Sequence, residues 1–236
     1  VVPQWLDMIP YKMHDELKTL NITVMLFKVN FQQNLVEAFY HVALAQIAMG
    51  AIQEADSTLD MLIKKVPQYH EPWLRKGELL LARHSWREAA EYLLKGISLA
   101  PAEVRVPLYI SAAGNFYNQG QQALAMRIYR AAQADQPSAE AASYLAWVLA
   151  TSADDTLRDG KEALQLAQEA IKADPNSPTF LNSLAAALAE NGRFTEAVDA
   201  ADRALANARL QPDAATVVPI FSQRLATLQS GKPIRQ

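Results

Sequence analysis

The chain has 236 residues, half of them hydrophobic, and a formal net charge of −3. That length can bury a substantial core, in one extended domain or two compact ones. The near-neutral charge supplies no basic stripe to neutralise phosphates, which excludes non-specific nucleic-acid binding. There is no cysteine, so disulfides, thiolate metal sites and cysteine nucleophiles are removed. No apolar run approaches the roughly 20 residues that span a bilayer, so direct membrane insertion is not expected. Glycine is sparse, with 8 in the chain, and alanine is abundant. That composition suits close-packed helices and leaves little room for a turn-rich β fold.

In chain order, residues 1–34 are the least regular. Trp5, Leu6, Met8 and Ile9 form an apolar cluster broken by Pro10. Residues 14–20 and 22–31 read as helical or mixed segments. By composition 22–27 could be a strand, but a lone strand beside helices has no partner, so helix is the preferred reading. The expectation is an N-terminal cap or degenerate hairpin over residues 1–35.

A period then emerges. Ala55, Ala89, Ala125, Ala163 and Ala197 are separated by 34, 36, 38 and 34 residues. Pro67, Pro101, Pro137 and Pro175 each follow their alanine by 12. Twelve residues before Ala55, Ala89, Ala125 and Ala197 stand the small residues Ala43, Gly77, Ala113 and Ala185. Gly50, Gly120 and Gly192 lie five residues before their alanines, where a helix ends and the chain turns. His84 takes that place once, followed by Ser85-Trp86-Arg87-Glu88, a capping-box pattern. The fourth unit departs from the pattern: Ala163 follows Ala146 by 17 residues, so the stretch from Ser152 to Gly160 holds about five extra. Its acidic residues Asp154, Asp155 and Asp159 lack calcium-loop spacing and read as a solvated, helix-capping loop.

The last unit is the most regular. Ser177 is a natural N-cap and Pro178 suits the first helical position. Leu181, Leu184, Ala185 and Leu188 share one face, and Ala197, Ala201 and Ala204 repeat the pattern after the turn. Small residues where the two helices meet let the axes approach closely, and such a hairpin needs neighbours to bury its faces. Beyond it, a helix from Ala214 to Leu228 is expected, buried through Phe221, Leu225 and Leu228.

These residues resemble the tetratricopeptide repeat. Trp73-x-x-x-Gly77, and Tyr129-x-x-Ala132 before Pro137, are close to its pattern, and the long fourth unit resembles a variant of bacterial repeat proteins, as does the ending with Arg224-Leu225-Ala226 and Gly231-Lys232-Pro233. The resemblance implies an all-α, right-handed superhelix of antiparallel hairpins with capping helices at both ends. It implies five repeats over 36–210 (about 36–69, 70–104, 105–138, 139–177 and 178–210), then a capping helix and tail over 211–236. It further implies a non-enzymatic scaffold that binds a peptide or helical segment in the groove lined by the first helices. Mapped onto this chain, the groove positions that stand out are Glu37, Tyr40, Leu44, Glu71, Leu74, Glu78, Tyr117, Asn118, Ser143, Trp147 and Asn182, with Tyr40, Tyr117 and Trp147 as the expected anchors. The lining reads as apolar and acidic with almost no basic residues. The Lys, Asn and Arg clamp that would hold an acidic chaperone tail is missing, so a partner segment that is apolar, amphipathic or partly basic is expected. A second expectation is self-association, with a terminal helix or the N-terminal segment docking into another copy's groove.

Catalytic and cofactor signals are weak. His14, His41, His70 and His84 have no i, i+4 pair and no HExxH, and no P-loop, GxGxxG or GxSxG occurs. No catalytic residue, metal or cofactor is therefore assigned. Tyr144 and Trp147 could stack a ligand, but core packing is favoured. The sequence begins Val1-Val2-Pro3 without Met or a visible signal peptide. The rival expectation is a recruiting or regulatory domain of a larger bacterial enzyme, such as a glycosyltransferase, sulfatase or haem protein. The compartment stays open between cytoplasm and periplasm.

Overall fold

The computed structural model describes residues 34–236. The expected N-terminal cap, including the 22–27 segment, lies outside the described residues. The chain divides into two compact units, one ending at Lys76 and one running from Gly77 to Gln236.

The described part of the first unit holds α1 (34–48) and α2 (Ile52–Lys65). It also holds the start of α3 (His70–Ala82). Ala43, Ala55, Leu59 and Leu62 are buried. Lys76 is buried too, 2.6 Å from an Asp56 carboxylate oxygen and 2.9 Å from one of Asp60. A charge removed from water needs such partners, and these two supply them.

The second unit continues with α4 (Trp86–Leu99), α5 (Ala102–Asn118) and α6 (Gln122–Asp135). It ends with α7 (Ala139–Thr151), α8 (Gly160–Ala173), α9 (Pro178–Glu190), α10 (Phe194–Ala208) and α11 (Ala214–Gln229). No strand occurs among the described residues. Neighbouring helices pair as hairpins, α5 with α6, α7 with α8 and α9 with α10, and α7 also packs on α9.

The repeating small residues sit where the period predicts. Ala89, Ala113, Ala125, Ala146, Ala163, Ala185 and Ala197 are all buried. Small side chains at these contacts let the helices interlock without voids. Gly77 shows how close the approach is: a Cβ there would lie 2.6 Å from Leu93 Cγ.

The turns also repeat. Gly50, Gly120 and Gly192 have φ of 77, 72 and 73°, and His84 has φ 60°. After each of them the next N–H donates to the carbonyl five residues back, as Gln121 does to Phe116 and Ser85 to Leu80. This is the Schellman closure of a helix C-terminus. His84 thus fills the glycine's place, with its ring edge-on to Trp86 at 4.7 Å. The capping box expected after it does not form. Ser85 stands at the N-cap, but its side chain makes no capping hydrogen bond, because the Schellman turn already commits its backbone.

The fourth hairpin closes differently. Its extra residues leave α7 at Ser152, form a short 3-10 turn over Asp155–Leu157 and re-enter at α8. Asp154 accepts from the Thr156 N–H, and Asp159 caps α8 by accepting from the Glu162 N–H at 2.9 Å. Residues 153–156 are exposed, as expected of a capping loop.

Ser177 caps α9 through the Phe180 N–H, with Pro178 in the first turn. α11 buries Phe221, Leu225 and Leu228, the expected stripe.

Candidate functional site

The expected groove residues fall in two places. In the first unit, Glu37 is exposed and Tyr40, Leu44, Glu71 and Leu74 are half-buried. Tyr40 meets Tyr69 edge-on at 5.7 Å, and Glu71 lies 3.0 Å from His70 Nδ1. Burial, with the charges of Glu71, Tyr40 and Glu37 beside it, pushes the Tyr69 hydroxyl up to about 12. Tyr40 and Glu71 thus flank the Tyr69–His70 pair.

In the second unit Glu78 is exposed, while Tyr117, Asn118, Trp147 and Asn182 come together. They line a cavity of about 390 Å³ between the face of α5, α7 and α9 and the inner side of α11. Relative to the small residues Ala113, Ala146 and Ala185 of their helices, Tyr117 and Asn118 follow by four and five places, Trp147 follows by one and Asn182 precedes by three, and the helical period turns these different places to one side. Trp147 is buried, and its Nε1–H donates to the Tyr117 hydroxyl at 2.8 Å. Asn182, also buried, and Thr179 add polar groups to a largely aromatic wall. Gly114 lines the cavity as well, and a Cβ there would meet no atom within 4 Å.

Two sequence expectations need correction. Ser143 does not face the groove: it is fully buried and donates to the Ser183 hydroxyl at 2.9 Å inside the α7–α9 packing. Tyr144 follows the favoured reading and packs within the fold, against Tyr129 rather than Trp147, stacked at 5.6 Å and 14°. The lining is also less acidic than expected, because α11 carries Arg224 onto it. The guanidinium sits 4.2 Å over the Trp147 ring and 5.7 Å from that of Phe221. Burial lowers its pKa, and the ring faces offset part of that cost. A signal for this existed, since Arg224 lies three residues after Phe221 on the buried stripe.

The segment after α11 is expected only as a tail. Instead it folds back. Ile234 is buried, and the Gln236 N–H donates to the Thr151 carbonyl at 2.8 Å. The Tyr117 hydroxyl donates to Gln236 Oε1 at 2.6 Å. Sequence reading also missed Gln122 and Glu190, which hold this segment.

A tetratricopeptide repeat model matches residues 37–69, and a second matches residues 152–215. No curated protein sequence matches the chain. Among solved structures, a fragment of MamA from Desulfovibrio magneticus RS-1 is 17% identical with a TM-score of 0.53, covering 75% of this chain and 97% of that one. YrrB, described as a TPR protein with an unusual peptide-binding site, is 15% identical with a TM-score of 0.52, covering 79% and 90%. The C-terminal part of a TPR repeat-containing protein from Cytophaga hutchinsonii is 15% identical with a TM-score of 0.51, covering 81% and 71%. At these identities the likeness is one of fold.

Proposed function

The chain belongs to the tetratricopeptide repeat family, and we propose that it is a non-enzymatic scaffold holding a peptide or helical segment of a partner protein on the concave face of its second unit. The observation that carries this reading is the cavity under α11. Its walls are aromatic, from Tyr117, Tyr129, Tyr144 and Trp147, and a few polar groups converge on it. Such a mixture suits an inserted side chain, with apolar walls giving affinity and the polar groups fixing orientation. The face also already seats a helix of this chain, α11, which supports its capacity for a helix-in-groove contact. Tyr40 and Leu44 in the first unit remain candidates for a separate contact.

The test fills the cavity without breaking the fold. Gly114→Leu adds volume where a Cβ has open space and removes a glycine from mid-helix, which favours the helix by about 1 kcal/mol. The variant is expected to melt no lower than the wild type yet recover less than a tenth of the crosslinked partner. Undiminished capture by the folded variant would refute the groove reading.

A further inference from the structure

The C-terminal ends of α5, α7 and α9 converge on a notch that the extended residues 234–236 occupy. In the other hairpins the Schellman turn satisfies the last carbonyls of the first helix. The longer loop after α7 returns the Asp159 N–H to the Leu149 carbonyl but leaves the carbonyls of Ala150 and Thr151 to another segment. The Gln236 N–H donates to the Thr151 carbonyl at 2.8 Å, and the Ala153 N–H donates to the Gln236 carbonyl at 3.0 Å. These two bonds bracket Ser152 as one strand brackets a residue of its neighbour. Arg235 Nη1 donates to the Ala150 carbonyl at 3.2 Å, while its Nη2 is 2.6 Å from Glu190 Oε2. The other Glu190 oxygen lies 3.1 Å from Arg158 Nε. Gln122 Nε2 donates to the Gln236 carbonyl at 2.7 Å, and the Ser152 hydroxyl holds that amide by donating to its Oε1.

We propose that this notch is a receptor for an extended partner segment in which an apolar residue is followed by an arginine, with residues 234–236 as its resident occupant. Each requirement has a named source. Strand-like bonding at Thr151 and Ala153 demands an extended backbone. Open helix-end carbonyls and the Glu190 carboxylate select a planar cation carrying several donors, which is arginine rather than lysine. The burial of Ile234 selects an apolar residue one place earlier. The resident segment is tethered to α11 by only a few residues, so its local concentration is on the order of millimolar. A partner segment must overcome that occupancy, and the site thereby admits strong or locally concentrated partners only. The groove reading is not needed for this proposal: Tyr117 borders both sites, but the backbone, Glu190 and Gln122 contacts that define the notch lie outside the cavity.

The probe is a fluorescein-labelled, C-terminally amidated peptide with the sequence of residues 230–236, followed by anisotropy against the full chain. The chain carrying Ile234→Asp and Arg235→Ala, which vacates the notch, is expected to bind the peptide at least tenfold more tightly than the wild type. Replacing the peptide's arginine by alanine is expected to remove at least tenfold of that affinity, and Glu190→Gln in the vacated chain to do the same. Should the double variant lose helicity by circular dichroism, Arg235→Ala alone carries the same comparison. A folded, vacated chain that fails to bind the peptide, or binds the alanine version equally well, overturns the proposal. Gly114→Leu is expected to leave peptide affinity unchanged, so a failure here and a failure of the groove reading are distinguishable.

Discussion

Three glycines sit in three different environments, and alanine substitution separates them. At Gly77 the new Cβ would lie 2.6 Å from Leu93 Cγ and 3.1 Å from Leu93 N. Leu93 is buried and cannot swing away, so overpacking is expected to cost about 1–3 kcal/mol. At Gly192 nothing lies within 4 Å. There the cost comes from φ 73° alone, roughly 1–2 kcal/mol for an L residue. At Gly114 neither penalty applies, and Gly114→Ala should stabilise by about 0.5–1 kcal/mol. Urea midpoints at constant m-value would rank them, and a stabilising Gly77→Ala would mean that the α3–α4 contact is wrongly placed. The period alone located Gly77, because a helix crossing tolerates only small residues there. It also pointed to His84, whose φ of 60° is uncommon outside glycine though less so for histidine than for most residues. Arg224 escaped because its charge argued for solvent, whereas the faces of Trp147 and Phe221 make a buried guanidinium tolerable.

At the scale of the element, the loop of residues 152–159 does two jobs that the sequence reveals unequally. Its extra length and its capping aspartates are local, so spacing and residue type expose them. Its pairing with Gln236 is backbone-to-backbone between residues far apart in the chain, and no side-chain pattern encodes it. The same asymmetry explains why the α11 stripe was legible and the return of the tail was not: helical periodicity reports a buried face, but not which surface covers it. The capping role gives a sharp expectation. Asp159→Ala removes the acceptor for the Glu162 N–H at the start of α8 and should cost about 1 kcal/mol. Asp154→Ala disturbs only the exposed 3-10 turn and should leave global stability nearly unchanged. Thermal melts of the two variants would decide, and equal effects would remove α8 capping as the reason for Asp159.

At the scale of the whole chain, the two units share a liability to alkali. In the second, burial holds the Tyr129 hydroxyl well above its usual value, helped by Tyr144 and Tyr117, and raises Tyr109 beside Asp135. In the first, Tyr69 is pushed up to about 12. The Lys76 ammonium is opposed by burial, but its hydrogen bonds to Asp56 and Asp60 prevail and raise its pKa as well. All four groups give up their proton more easily in the unfolded chain than in the folded one. Their contribution is therefore complete below the unfolded values, about 10 for both residue types. It is lost as pH climbs through the folded values, because unfolding then releases protons. Helicity is expected to hold to about pH 10 and to collapse steeply beyond it. Tyr129→Phe removes the most deeply buried of these hydroxyls and leaves the stacked ring. That variant should lose less of its neutral-pH stability than the wild type loses over the same alkaline range, measured by urea unfolding at stepped pH. A variant that follows the wild-type curve throughout would show that the Tyr129 phenol does not drive the transition, and would shift the cause to Tyr69, Tyr109 and Lys76.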